Sequence, residues 1–154
     1  MKNFELVYKL IEKGYRICPA ESCTGGMLAS AIVEVPDASK VFDMGFVTYA
    51  NDAKIKLLSV DEALISEHGV VSEPVALSMA RGAARASGAQ VGVGISGIAG
   101  PTGGSAKKPV GTVCFGFYIN GSEFSKTCRF GDIGRTCVRE KACEFVIDTL
   151  LENL

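Results

Sequence analysis

The sequence has no tryptophan and only one histidine, His68, in 154 residues. That histidine has no obvious orienting partner nearby in sequence, so a Ser-His-Asp triad is a poor expectation. Its setting, Glu67-His68-Gly69, reads as a helix end, where dipole and solvent explain a histidine without catalysis. A charge excess is also missing: sixteen basic against seventeen acidic side chains leave a formal net charge of -1. This balance offers no broad field to a nucleic-acid backbone, although a local basic pocket for one small phosphate remains allowed. No apolar run approaches the roughly 20 residues of a membrane span, and the first residues read as an amphipathic helix rather than a secretory leader. The six cysteines form no C-x-x-C pair and no zinc-like spacing. They are expected to be reduced thiols, mostly small core residues, in a cytoplasmic protein with no resident metal or cofactor.

What remains is an ordinary globular chain, 47% hydrophobic and 21% charged, long enough for one sizeable core. Phe4, Val7, Leu10 and Ile11 follow helical spacing, and Gly14 stops that helix. A strand over 16–20 leads into a turn and a helix over 27–33. A strand is expected over 42–50, then a short helix over 51–58 with Asn51 or Asp52 near its N-cap. Ser72 caps a helix that has Pro74 at an early position, carries Val75, Met79, Ala83 and Ala86 on one face, and stops at Gly88. Strands follow over 90–98, 110–119 and 123–130, the last two joined at Asn120-Gly121, a hairpin signal. Val138, Ala142, Phe145, Val146 and Leu150 stripe the final helix. The expected fold is α/β: a single three-layer α/β/α domain over 1–154, with a mixed, mostly parallel sheet ending in a β-hairpin plus helix.

Three segments could carry chemistry. In Glu21-Ser22-Cys23-Thr24-Gly25-Gly26, a hydroxyl at a strand-to-helix turn stands beside amide N–H groups that a new helix leaves unpaired. Gly25 and Gly26 remove the Cβ atoms that would hold a ligand off the backbone. The structural alternative is that Ser22 or Thr24 simply caps the helix. In Tyr49-Ala50-Asn51-Asp52-Ala53-Lys54, a lysine in the first turns of a helix sits against the dipole, and partial burial would also favour its neutral form. A solvated surface lysine is the plainer reading of that segment. The glycine-rich loop 97–104 can wrap a phosphate or ribose with its amides, yet it fits neither G-x-x-x-x-G-K-[ST] nor G-x-G-x-x-G. Cys23, also near a helix N-terminus, is a candidate thiolate.

Together these segments resemble the C-terminal domain of the CinA proteins, a family that also exists in stand-alone form as nicotinamide-mononucleotide deamidases. The likeness runs through Ala20-Glu21-Ser22-Cys23-Thr24-Gly25-Gly26, Val47-Thr48-Tyr49-Ala50-Asn51-Asp52-Ala53-Lys54 and Ser96-Gly97-Ile98-Ala99-Gly100-Pro101-Thr102-Gly103-Gly104. Weaker matches lie at His68-Gly69-Val70-Val71-Ser72, at Lys108-Pro109-Val110-Gly111-Thr112-Val113 and from Phe130 to Arg139. The resemblance implies metal-independent hydrolysis of a carboxamide, with Ser22 as nucleophile, Lys54 as general base and Tyr49 in support. It implies substrate contacts at Glu21, Thr24, Gly25, Gly26 and Asn51, and along the loop at Gly97, Ala99, Gly100, Thr102, Gly103 and Gly104. One of Arg135 and Arg139, at the start of the last helix, could add charge to the phosphate, although surface solvation is the plainer reading of both. Arg139 is taken as the substrate contact. The Ile133-Gly134 that separates Asp132 from Arg135, where the family usually keeps the pair adjacent, weakens a role for Arg135. The implied partner is a small nucleotide substrate, and the implied assembly is a homodimer or higher homo-oligomer. A catalytically silent nucleotide-binding or competence-associated module is the alternative, with a thiol enzyme at Cys23 third.

Overall fold

In the computed structural model, which describes residues 1–154, the first helix, α1 (Lys2–Lys13), ends at Gly14 in the left-handed conformation. Strand β1 (Ile17–Glu21) runs into a turn and helix α2 (Met27–Val33). A short edge strand β2 (Phe46–Val47) precedes α3 (Asn51–Leu58), α4 (Glu62–His68) and α5 (Glu73–Ser87). The sheet is completed by β3 (Val91–Gly97), β4 (Thr112–Ile119) and β5 (Ser122–Arg129), and α6 (Arg135–Asn153) closes the chain. Ser72 caps α5, its hydroxyl accepting from Val75 N–H. Asn120 and Gly121 both adopt positive φ between β4 and β5, as the tight hairpin requires.

The five strands lie in the order β2-β1-β3-β4-β5. Pairing is parallel from β2 through β1 to β3 and antiparallel from β3 through β4 to β5, so the sheet is mixed. The strand expected over 42–50 is much shorter, because only Phe46 and Val47 pair with β1. Ile17 N–H bonds the Val41 carbonyl along this edge. Two residues on, where β1 would offer its next donor to the same side, stands Pro19, which has no N–H to give. Helix α3 has the expected bounds; its N-cap is Ala50, which makes no side-chain cap bond, and Asn51 beside it is the first helical residue.

Helices cover both faces. On one, α1, α2 and α6 pack over Val91, Val93 and Ile95 of β3 and Val113, Phe115 and Phe117 of β4. The Phe145 ring of α6 lies 4.7 Å from that of Phe115. On the other face Leu58, Val75, Met79 and Ala83 meet Cys18 and Ala20 of β1. Here α5 comes down onto bare backbone. A Cβ on Gly92 would sit 2.2 Å from the Ala80 carbonyl oxygen, and one on Gly94 or Gly116 2.0 and 2.3 Å from that of Ala76. These glycines therefore set how near the helix lies to the sheet. All six cysteines are free thiols, and no helix is long and apolar enough to cross a membrane.

Gly94→Ala is expected to force α5 off the sheet at a cost of about 3 kcal/mol, lowering Tm by roughly 6–12 °C in a chain of this size. A thermal melt unchanged from that of the parent would show that the approach is not rigid.

Candidate active site

The site begins where β1, buried along its whole length, reaches the carboxyl edge of the sheet. Ser22 N–H still bonds the Ile95 carbonyl at 3.1 Å, which fixes the serine backbone before the chain turns. Glu21, only 1% exposed, directs its carboxylate away from that edge. Its two oxygens accept from Leu28 N–H at 2.9 Å and Ala29 N–H at 3.0 Å, in the first turn of α2. A carboxylate there satisfies orphan donors and complements the helix dipole. Those amides are therefore engaged, and Met27 N–H bonds the Thr24 carbonyl. The turn nevertheless keeps the Cys23 and Thr24 amides without a backbone acceptor. Gly25 and Gly26, at φ 56° and 99°, supply the positive-φ steps that bring the chain round into α2.

Lys54 enters from the first turns of α3 and is fully buried. Its Nζ lies 3.1 Å from Ser22 Oγ, 2.6 Å from the Thr48 carbonyl oxygen and 3.2 Å from that of Tyr49. Burial, with no carboxylate to pair the charge, lowers the lysine pKa from its ordinary 10.5. In the neutral amine two N–H groups satisfy the two carbonyls, and the lone pair is left facing the Ser22 hydroxyl. A hydroxyl and a buried amine thus stand within hydrogen-bond distance of each other.

Ser22 and Lys54 open on a cavity of about 460 Å³, within the usual range for a small-molecule site. Of the residues expected from sequence, Tyr49, Asn51, Gly97, Ala99, Gly100, Thr102 and Gly103 also line it. Glu21, Thr24, Gly25, Gly26, Gly104 and Arg139 do not. Of the two arginines left open from sequence, Arg135 and not Arg139 reaches the cavity. Arg139 donates to the carbonyls of Cys23 at 2.9 Å and Thr24 at 3.1 Å, bracing the turn from behind. Arg135 lines the cavity, donating to the Gly100 carbonyl at 2.8 Å and the Tyr49 hydroxyl at 3.1 Å. The inserted Ile133-Gly134 is accommodated by positive φ at Gly131 and Gly134, so α6 starts at Arg135 beside the loop.

Other wall residues were not singled out as site residues from sequence. Ser96 donates from its hydroxyl to the Val70 carbonyl at 2.8 Å, tying β3 to the segment before α5. Ser105 and Lys108 come from the loop before β4. The only advance signal for Lys108 was its place in the Lys108-Pro109-Val110-Gly111-Thr112 match. His68 does not line the cavity, and its ring pairs loosely with Glu67 at 3.8 Å. Cys23 does line it, but burial pushes its thiol up to about 11, against the thiolate foreseen for it. No three His, Cys, Asp or Glu side chains converge as a metal set.

A family model described as the CinA C-terminal domain matches residues 2–154. A CinA-like protein of Kosmotoga olearia is 46% identical over 94% of this chain and 35% of its own length. The chain spans about a quarter to a third of the length of the first such relatives. Relatives nearer in length are each called nicotinamide-nucleotide amidohydrolase PncC. That of Enterobacter agglomerans is 48% identical over 98% of this chain and 92% of its own, and that of Escherichia coli 46% over 92% and 86%. The solved structure of a CinA superfamily protein from Escherichia coli superposes with a TM-score of 0.95 at 38% identity, covering 99% of this chain and 88% of the other.

The lowered Lys54 pKa links to stability. Between that value and 10.5 the unfolded chain binds the proton and the native chain does not, so stability rises with pH across the interval. Lys54→Met should remove this rise from the curve of unfolding free energy against pH. A slope that survives the substitution would assign the titration to another group.

Proposed function

The chain belongs to the CinA C-terminal domain family, and on that premise we propose that it hydrolyses the carboxamide of nicotinamide mononucleotide to the acid and ammonia. The observation that carries this reading is the buried Lys54 amine 3.1 Å from Ser22 Oγ. Two relatives similar in length to this chain bear the name of that amidohydrolase activity. In the proposed mechanism Lys54 takes the hydroxyl proton as Ser22 Oγ attacks the amide carbon. The tetrahedral oxyanion is received by amide donors, for which the free N–H groups of Cys23 and Thr24 are at hand. Lys54 then passes its proton to the departing nitrogen, which leaves as ammonia, and an acyl ester remains on Ser22. A water molecule attacks that ester with Lys54 again as base, the acid departs, and the proton returns to Ser22.

The chain's own groups supply every proton movement in this scheme, and it calls on no metal or cofactor. Tyr49 contributes twice, through the carbonyl that orients Lys54 and through a hydroxyl held by Arg135. Asn51 and the wall from Gly97 to Gly103 are assigned to the ribose and pyridine parts of the substrate. Gly25, Gly26 and Thr24 are assigned to shaping the turn, and Glu21 and Arg139 to bracing it. The reading places the protein in the cytoplasm, with a homodimer or higher homo-oligomer as its expected assembly.

Ser22→Ala should abolish ammonia release, by about a thousandfold or more, with the melting curve preserved. Release that persists would sink the serine mechanism, and a folded parent protein that binds the nucleotide without releasing ammonia would favour the silent module. Because the base must be neutral, kcat/KM should rise with pH through a value below 10.5. Lys54→Arg, which cannot deprotonate, should be inactive.

A further inference from the structure

Three basic side chains line the cavity, Lys54, Lys108 and Arg135, and no aspartate or glutamate does; with Lys54 neutral, Lys108 and Arg135 carry its positive charge. Such a wall selects an anion. Two of the three are already engaged. Lys54 serves the serine and two carbonyls, and Arg135 bridges the Gly100 carbonyl and the Tyr49 hydroxyl. Lys108 is different. Its Nζ donates at 2.7 Å to one acceptor, the His68 carbonyl, and it takes part in none of the protein's five salt bridges. An ammonium group has three N–H bonds, so two remain for a ligand.

The lysine is also held in place. Ser105 N–H bonds the Lys108 carbonyl at 2.9 Å, and Lys108 N–H bonds Ser105 Oγ at 3.1 Å, closing a small ring that fixes the backbone under the side chain. Space for the head comes from Gly69, where a Cβ would lie 2.9 Å from Nζ. The Ser105 hydroxyl hydrogen stays available, and the nearby Gly103 amide has no backbone acceptor.

We propose that Lys108, with the Ser105 hydroxyl and the Gly103 amide, forms the subsite that receives the phosphomonoester of the nucleotide and makes the protein prefer it to the riboside. This inference rests on the function proposed above for the choice of nucleotide, but binding alone tests it. Losing one hydrogen bond to a charged group weakens binding about ten- to a hundredfold.

Affinities for nicotinamide mononucleotide and nicotinamide riboside would be measured by calorimetry on Ser22→Ala protein, which keeps the ligands intact, alone and with Lys108→Met or Lys108→Arg added. The expected result is a parent preference for the mononucleotide of at least about tenfold. Lys108→Met should raise the mononucleotide Kd about ten- to a hundredfold and leave the riboside Kd unchanged. Lys108→Arg should restore most of the loss, and orthophosphate should compete with the mononucleotide but not with the riboside. No parent preference would overturn the proposal, and that outcome does not depend on whether the variants fold. An equal loss for both ligands would also overturn it, since Lys108 would then serve only to cap the end of α4. Ammonia release from the unsubstituted protein is scored separately, so the subsite can stand while the amidase reading falls, and the reverse.

Discussion

One amine held out of water organises this molecule. Lys54 has no carboxylate partner, and an unpaired buried charge is among the costlier arrangements a protein can carry. It is tolerated because the surroundings accept its N–H bonds and favour loss of its proton. Much of the neighbouring backbone answers to that need. The edge strand ends after Val47, which lets the Thr48 and Tyr49 carbonyls turn toward Nζ. Ser22 is presented from the other side by its own bond to Ile95.

The serine turn is steadied by two charges that take no direct part at the cavity. Glu21 reaches beneath it to the amides of α2, and Arg139 reaches across from α6 to the carbonyls of Cys23 and Thr24. One clamps the helix that follows the serine, the other the loop that carries it. The turn is thereby fixed from two elements, α2 and α6, that are distant from each other in sequence, which keeps the Ser22 hydroxyl from drifting.

The helices and the hairpin were legible because their signals are local. Examples are Gly14 and Gly88 as stops, Ser72 with Pro74 as a start, and Asn120-Gly121 as a turn. The strand over 42–50 was overdrawn because apolar composition favoured extension, while the limit lay in Pro19 on a different strand. Ser22, Lys54 and Tyr49 were picked out through family resemblance; Lys54 taken by itself reads as a surface residue, because nothing local announces that α3 turns it inward. The choice between Arg135 and Arg139 was not legible for a similar reason. Which side of α6 faces the glycine loop depends on two positive-φ glycines that let the helix begin at Arg135. Glu21 was expected at the substrate through the family resemblance; its carboxylate instead meets unsatisfied donors of the chain's own α2.

The bare-backbone contact between α5 and the sheet has a consequence for how the protein can change over time. Where side chains interdigitate, beneath α1, α2 and α6, a swap of one apolar residue can be absorbed by its neighbours. Beneath α5 there is no such cushion, because Gly92, Gly94 and Gly116 meet main-chain oxygens that cannot move aside. The two faces of one sheet therefore offer unequal freedom to mutate. Variation should accumulate on the cushioned side, while the α5 side stays close to its present residues for reasons of space alone. In a set of diverged sequences, invariance at those three glycines would accordingly be no evidence of a catalytic role.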